Sequence, residues 1–274
     1  MTPILLHLVP AALYGFLAVH FWRSRYRKAG QDPIPGLQTW ERVVLLAALG
    51  VQGVSLFADL FPDGGMRFGF SYALATIMWL ALVFYWIESL YTRLDGLQML
   101  GLPLAALCAV LPLLAPGQHS LAHVDSPVFR AHFLMAMLAY SLFTLAALHA
   151  LLMAVAEKQL HRGRLTRAMI NLPPLLTMEA LLFRLILMAF VLLTLTLASG
   201  VLFSENLFGK ALSFDHKTVF AIASWLIFAA LLAGRHFYGW RGRKALRWTL
   251  AGFVILMLAY VGTRFVLEAI LHRA

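Results

Sequence analysis

Residues 4–22 read ILLHLVPAALYGFLAVHFW and are followed directly by Arg23, Arg25, Arg27 and Lys28. At about 1.5 Å per residue, a helix of this length crosses a hydrocarbon core of about 30 Å. The positive charges follow the apolar run, whereas a secretory signal peptide carries them in front, so we expect the segment to be retained as a span. The positive-inside rule then predicts that these charges are cytoplasmic and that the amino terminus is outside.

The rest of the chain repeats this pattern of long apolar runs separated by polar connections. Hydrophobic residues make up 62% of the sequence and charged residues 12%, and the mean hydropathy is +0.82. A water-soluble core needs far less apolar surface, so these values indicate an all-α polytopic membrane bundle. We predict a single integral membrane domain over residues 1–274, with eight transmembrane helices and both termini outside. The other seven spans are predicted at Arg42–Phe61, Phe68–Tyr91, Leu97–Ala115, Arg130–Ala156, Glu179–Phe203, Thr218–Ala233 and Trp248–Leu271.

The distribution of Lys and Arg supports this topology independently of the apolar runs. The predicted outer segments carry little more than Arg67, Lys210, Lys217 and Arg273. The asymmetry explains the formal net charge of +10 through membrane orientation and contact with lipid headgroups, so no nucleic acid is expected as a partner. The predicted inner loops carry Arg23, Arg25, Arg27, Lys28, Arg93, Lys158, Arg162, Arg164, Arg167, Arg235, Arg241, Arg243, Lys244 and Arg247.

The sequence has none of the common motifs of enzymes. It contains no P-loop, no dinucleotide-binding fingerprint, no His-Glu-x-x-His and no Cys-x-x-Cys pattern, so we do not expect an enzyme. The single cysteine, Cys108, lies inside an apolar run and is interpreted as a small core residue. An ion-coupled transporter is the least favoured class, because no Asp or Glu is predicted near the middle of the membrane.

Histidine is the most informative residue type, and the predicted topology divides the ten histidines into two tiers. Neutral imidazole suits haem iron and transition metals, and two axial ligands of one haem must come from different elements. Two tiers therefore suit a membrane protein that handles haem, although a histidine at a membrane boundary often binds only water or a carbonyl. The outer tier is His7, His119, His123, His132, His216 and His272, and the inner tier is His20, His149, His161 and His236.

Two further stretches stand out near the predicted outer surface. Residues 203–217 mix aromatic residues with Gly, Asp and His between two apolar runs, which is typical of a lid or ligand site as well as of a plain connection. Arg264, Glu268 and His272 follow at intervals of four and are expected on one side of the last helix. They could receive a ligand carboxylate or form an internal ion pair. Glu179 and Arg184 are expected to form a local ion pair. Asp59, and Glu88 together with Arg93, are expected to lie at the membrane boundaries.

Seven stretches carry a resemblance to a known family, namely Arg130–Tyr140, Leu172–Leu175, Phe208–Gly209, Phe214–Lys217, Trp225–Phe228, Gly239–Gly242 and Gly252–His272. By their order and spacing, the chain resembles the cytochrome c assembly membrane proteins of the CcsA, CcmC and HemX type, and most closely the eight-helix YpjD-like branch. The resemblance covers residues 68–274, while residues 1–67 form two preceding spans.

This resemblance implies a site at the outer end of the bundle. In haem-exporting members, two outer histidines ligate the iron and flank a tryptophan-rich loop that ends in Trp-Asp. By position, His132 and His272 match these histidines, and Arg264 lies near enough to neutralise a haem propionate. Residues 203–217 contain no tryptophan, so the platform is reduced to phenylalanine. The residues that match what remains of the loop are Phe208, Gly209, Phe214 and Asp215.

The resemblance leads to two hypotheses. The first is a haem-binding carrier or assembly factor in the bacterial inner membrane, with His20, His149 and His236 as candidates for an inner haem site by depth alone. The alternative is a haem-free accessory subunit that stabilises or regulates a partner. That partner could be a membrane transporter of metal ions, a cytochrome assembly protein or an enzyme of haem synthesis.

Overall fold

The computed structural model describes residues 3–27, 36–62, 65–91, 96–115, 126–162, 172–202 and 215–271. Within these ranges, eight helices are long and apolar enough to cross a membrane, which confirms the all-α bundle and its eight spans. The helices are α1 (Pro3–Phe21), α2 (Thr39–Leu60), α3 (Phe70–Glu88), α4 (Leu97–Leu114), α5 (Pro127–His161), α6 (Leu175–Leu202), α7 (His216–Tyr238) and α8 (Gly242–Met257). Helix α1 continues as π-helix over Trp22–Arg27.

Several helices extend beyond the predicted apolar runs. The run at Arg130–Ala156 belongs to the longer helix α5, which adds a turn with Glu157 and Lys158. The run at Thr218–Ala233 likewise belongs to α7, whose last turn contains Arg235 and His236. Hydropathy falls where a helix reaches the headgroups, but its backbone hydrogen bonds continue, so apolar runs underestimate helix length.

Contacts at the two ends of the bundle show that successive helices alternate in direction. At one end, the start of α1 meets the end of α2 through His7 and Asp59, 2.6 Å apart. At the other end, the end of α1 meets the start of α2 through Arg25 and Glu41, 2.8 Å apart. We call the first the termini end, because α1 begins and α8 ends there, and the second the basic end. Which end faces the cytoplasm stays a prediction from the charge distribution.

Helix α5 forms the centre of the bundle, where it packs against α3, α6 and α8. In the most apolar stretch of α5 78% of residues are buried, against 22% in α7, which identifies α7 as a peripheral, lipid-facing helix. Phe143 of α5 stacks on Phe228 of α7 with ring centroids 3.9 Å apart. Helix α8 closes over this pair at Gly252, where a Cβ atom would lie 2.9 Å from the Phe228 ring. Cys108 is buried in α4, as expected for a core residue.

The carboxyl end of α8 is irregular. The helix widens to π-helix over Leu258–Gly262, returns to an α turn at Thr263–Phe265 and widens again over Val266–Ile270. Side chains four positions apart still lie on roughly the same side of a helix with π turns, and Arg264 and Glu268 both lie within electrostatic range of the Tyr260 hydroxyl. Within the described residues Arg264 and Glu268 form no salt bridge with each other.

The basic end is held by ion pairs between helices. Glu179 of α6 binds Arg235 of α7, with 2.5 Å between Oε1 and Nη1. Arg184 binds Glu88 of α3 at 2.6 Å. The predicted local pair of Glu179 with Arg184 is therefore wrong, because each residue points toward a different neighbouring helix. Asp59 and Glu88 do lie near helix ends as expected, and both are engaged in pairs there.

Candidate functional site

His132 lies near the start of α5 and is oriented by the end of α6. Its Nδ1 atom is 2.8 Å from Oγ of Ser199. Ser199 Oγ also lies 3.0 Å from the carbonyl of Thr196, which can only accept, and with its one proton directed there Ser199 Oγ accepts from His132 Nδ1–H. In this arrangement the imidazole is the neutral tautomer in which Nε2 carries the lone pair. A histidine whose Nδ1–H is fixed in this way presents Nε2 as a Lewis base, the arrangement that metal-ligating histidines commonly show.

An aromatic cluster joins the start of α5 to α8. Phe133, the neighbour of His132, packs edge-on against Phe68 with centroids 4.9 Å apart. Phe68 also packs against Tyr260 of α8 at 5.7 Å, and Phe129 stacks on Phe133 at 6.3 Å. Phe70 and Phe265 make a further edge-on contact at 5.3 Å. The aromatic surface at this end therefore includes residues outside the 203–217 segment.

Three buried polar atoms of α8 lie beside this cluster without a hydrogen-bond partner in the described part of the chain. They are Oη of Tyr260, Nε of Arg264 and Oε1 of Glu268. The Tyr260 hydroxyl is adjacent to the Arg264 guanidinium, although the geometry is not that of a hydrogen bond. The other oxygen of Glu268 accepts from the backbone N–H of Phe70 at 3.2 Å. Buried polar atoms are normally satisfied, so this group is suited to a polar ligand.

The start of α7 adds a second positive charge to this end. Lys217 is partly buried and lies within electrostatic range of Arg264. Two cations this close repel each other, and an anionic group between them would relieve the repulsion. The termini end therefore combines a Lewis base on α5 with positive charge on α7 and α8.

Asp215, one of the sequence-predicted site residues, caps helix α7. Its Oδ1 atom accepts from the backbone N–H and from the hydroxyl of Thr218, both at 3.0 Å. Partial burial alone would raise the pKa of Asp215, but these hydrogen bonds and the charge of Lys217 hold it below the ordinary value. The carboxylate is thus fixed as an N-cap at the boundary of the site.

The remaining predicted residues of the outer site are Phe208, Gly209, Phe214 and His272, and all four lie outside the described residues. Of the seven predicted site residues, the structure therefore describes three, namely His132, Asp215 and Arg264. It places all three at the termini end. They are contributed by the start of α5, the start of α7 and the end of α8.

The candidates for an inner site have different environments. His20 is engaged by Glu41, with 3.0 Å between Nε2 and Oε1, and His236 is exposed beside Phe237. His149 is buried in α5, where Nε2–H donates to the carbonyl of Met178 at 3.1 Å. Its Nδ1 atom is buried and has no partner among the described residues. Of these three histidines, His149 alone offers a buried ring nitrogen with an unused lone pair in that part of the chain.

No group of three or more His, Cys, Asp or Glu side chains that could hold a metal ion occurs within the described ranges. A metal site built only from protein ligands therefore finds no support there. Haem differs in this respect, because the porphyrin supplies the four equatorial nitrogens and the protein needs to supply only axial ligands.

These features define a multi-pass membrane bundle with a histidine on α5 and a buried arginine on α8 at one end. A family profile described as "Cytochrome C assembly protein" matches residues 38–271, and the chain belongs to this family. Membership supports a haem-handling role in assembly. The match begins at the start of α2, so α1 precedes it.

The relatives agree with this assignment. The chain is 30% identical over 247 residues to "Inner membrane protein YpjD" of Escherichia coli K12, covering 86% of this chain and 92% of the relative. A protein of Azospirillum brasilense, called an uncharacterized 28.8 kDa protein, is 29% identical over 97% of this chain and 96% of its own. "Cytochrome c biogenesis protein CcsA" of Prochlorococcus marinus AS9601 is 40% identical over 88 residues, which are 32% of this chain and 28% of that protein. No solved structure matches the chain.

With eight apolar helices and an inner-membrane relative that matches over most of its length, the chain is a multi-pass inner membrane protein. Ser199, Tyr260 and the cluster of Phe68 with Phe133 were not predicted from the sequence. Tyr260 lies four residues before Arg264, and Phe133 directly follows His132, so their spacing could have drawn attention to both. Ser199 is distant in sequence from His132 and gives no comparable signal.

Proposed function

We propose that this protein binds haem at the termini end and acts as a carrier or assembly factor, without catalysing bond turnover. The observation that carries the proposal is the hydrogen bond from His132 Nδ1–H to Ser199 Oγ, because it leaves the lone pair on Nε2. Haem is the expected cargo, and its iron would take that lone pair as an axial ligand. By resemblance, His272 is proposed as the second axial ligand.

The buried polar atoms of α8 support the same proposal. Haem carries two propionate carboxylates, and a carboxylate would satisfy Arg264 Nε and accept from the Tyr260 hydroxyl. Lys217 adds a cation within range of Arg264. Charge-assisted hydrogen bonds of this kind are strong where water is scarce. The half-buried rings of Phe133 and Tyr260, both packed on the buried Phe68, offer packing surface for the porphyrin in place of the missing tryptophans.

A second, inner haem ligand is proposed at His149. The bond from Nε2–H to the Met178 carbonyl fixes the tautomer, which leaves Nδ1 unprotonated inside the bundle. The pairing of His20 with Glu41 and the exposure of His236 make these two histidines weaker candidates.

The absorption spectrum of protein purified from haem-replete cells tests the proposal. We expect a Soret band that shifts or is lost in His132→Ala, with no change in the exposed control His236→Ala. Arg264→Gln should reduce haem occupancy, because it removes the charge expected at a propionate. Arg184→Gln is the matched control, since Arg184 lies at the basic end and its side chain is 58% exposed. A spectrum without a Soret band, or one that His132→Ala leaves unchanged, would overturn haem ligation at this site.

The second candidate function is a haem-free accessory subunit that stabilises or regulates a partner, such as a membrane transporter of metal ions, a cytochrome assembly protein or an enzyme of haem synthesis. The absence of tryptophan from residues 203–217 favours it, since a flat indole platform is missing. This function predicts that the purified protein is colourless and that its loss lowers the abundance of its membrane partner. Quantitative proteomics of membranes from cells with and without the protein distinguishes the two candidates.

A further inference from the structure

A groove of about 340 Å³ opens between α5 and α8 at the basic end. Its apolar lining consists of Ala154, Leu246 and Leu250, of which Ala154 and Leu250 lie nearest to the middle of the helices. Its charged lining consists of Glu157, Lys158 and Arg243 near the helix ends and of Arg247, which lies between Leu246 and Leu250 along α8. The volume falls within the range of about 300–1,000 Å³ that is usual for small-ligand sites.

The charged part of the groove has a net positive charge, because three basic side chains face one carboxylate. Glu157 is already used, since its Oε1 atom accepts from Arg243 Nε at 2.8 Å. Lys158 and Arg247 form no ion pair with any residue in the described ranges. Two cations with no ion-pair partner among the described residues therefore lie beside the apolar lining of the groove.

The aromatic residues around the groove indicate the depth at which it lies. Trp240 and Trp248 pack against each other with centroids 5.2 Å apart, and Lys244 lies over the Trp240 ring at 3.6 Å. Tyr238 is 79% exposed on the same end. Tryptophan and tyrosine concentrate at the level of lipid headgroups in membrane proteins. The charged side chains of the groove are thus at headgroup depth, and Ala154 and Leu250 extend its apolar lining toward the depth of acyl chains.

We propose that this groove is a binding site for one anionic phospholipid, whose phosphodiester lies between Lys158 and Arg247 and whose acyl chain lies along Ala154, Leu246 and Leu250. Charge complementarity distinguishes this lipid from a zwitterionic one, because the net charge of a zwitterionic headgroup is zero. The apolar lining favours this lipid over free phosphate, because free phosphate has no apolar part that could pack against Leu246 and Leu250. The site joins the central helix α5 to α8, so a bound lipid would hold together the two helices that carry His132 and Arg264 at the other end.

Native mass spectrometry of the full-length protein, released from micelles containing phosphatidylglycerol and phosphatidylethanolamine, tests the proposal. We expect preferential retention of phosphatidylglycerol. A cation near anionic headgroups contributes about fivefold to binding, so Lys158→Gln with Arg247→Gln should weaken retention by about thirtyfold. The matched control is Arg241→Gln with Lys244→Gln, which removes the same charge from the same end without touching the groove.

Glu157→Gln provides a test that loss of folding cannot imitate. This change frees Arg243 from its pair and raises the charge of the groove by one, so retention of phosphatidylglycerol should increase by about fivefold. Equal retention of the two lipids by the wild type, or equal losses in the groove and control variants, would overturn the proposal. Displacement of the lipid by millimolar glycerol phosphate would also overturn it, because the site would then recognise a free phosphate ester. None of these outcomes depends on the haem spectrum, so the lipid site is tested separately from the proposed haem site.

Discussion

Replacing Glu41 with glutamine should destabilise the bundle more than any other single charge change at the basic end. Glu41 is 1% exposed at the start of α2, and its carboxylate has three partners at once. Its carboxylate binds Arg25 Nη2 at 2.8 and 3.2 Å and lies 3.0 Å from His20 Nε2. It also accepts from the backbone N–H of Gln38 at 2.7 Å, which closes a capping box.

The size of the destabilisation by Glu41→Gln follows from the burial of Arg25. Only 3% of the Arg25 side chain is exposed, and its Nε and Nη1 atoms already have no partner among the described residues. Removing the charge of Glu41 leaves a buried guanidinium without a counter-charge. Breaking a buried pair from one side costs about 3–5 kcal/mol. The double variant Arg25→Met with Glu41→Gln should recover most of this loss, because no uncompensated charge remains.

Unfolding in mixed micelles of increasing SDS fraction, followed by far-ultraviolet circular dichroism, measures the effect. Glu157→Gln is the control, because its pair with Arg243 is more exposed, at 22% and 56% of the side chains. A pair of this kind contributes about 0–1 kcal/mol. If Glu41→Gln were no more destabilising than Glu157→Gln, or if the double variant were less stable than Glu41→Gln alone, the account of this buried pair would be refuted.

Three further predictions concern other parts of the bundle. Asp215→Ala should cost about 1 kcal/mol through loss of the α7 cap, whereas Asp215→Asn should retain the cap. Because the pKa of Asp215 is depressed in the folded state, wild type should have a higher free energy of unfolding than Asp215→Asn at pH values above the unfolded pKa of about 3.9. This difference should disappear as pH falls through the folded pKa, and unfolding measured at graded pH would show it. Ser199→Ala should weaken binding of haem about 10–100-fold without loss of fold, and unchanged binding in a haem titration would show that Ser199 does not orient His132. Tyr14→Phe should cost about 1–3 kcal/mol in the same SDS unfolding assay, because the buried amide of Gln52, now 2.6 Å from the Tyr14 hydroxyl, would lose that partner.

The number and approximate position of the helices could be predicted from the sequence because hydrophobic thickness fixes the length of a span. The run at Leu97–Ala115 matches helix α4, Leu97–Leu114, almost to the residue. Helix ends were less predictable where polar residues continue the helix, as Glu157 and Lys158 do in α5. The spacing of Arg264 and Glu268 suggested a shared helical side, and both residues do lie within electrostatic range of Tyr260, although the π turns of α8 could not be predicted.

Contacts between helices could not be predicted from a single sequence. His7 binds Asp59 across 52 positions, and Arg184 binds Glu88 across 96 positions. Nearby charges of opposite sign, such as Glu179 and Arg184, looked like local partners, but Glu179 binds Arg235 of α7 and Arg184 binds Glu88 of α3. Arg264 was found because ionisable side chains are costly inside a membrane, and His132 was found by its position in the family resemblance. Ser199 and Tyr260 escaped notice because neither residue type is unusual in a span.

An equilibrium titration of the haem-free, detergent-purified protein with hemin, followed at the Soret wavelength, tests the central claim most directly. We predict saturable binding with a spectrum typical of histidine ligation, lost or strongly weakened in His132→Ala and preserved in His236→Ala. Binding that His132→Ala does not alter, or a wild-type protein that does not saturate and behaves like an empty micelle, would contradict the claim that this site holds haem.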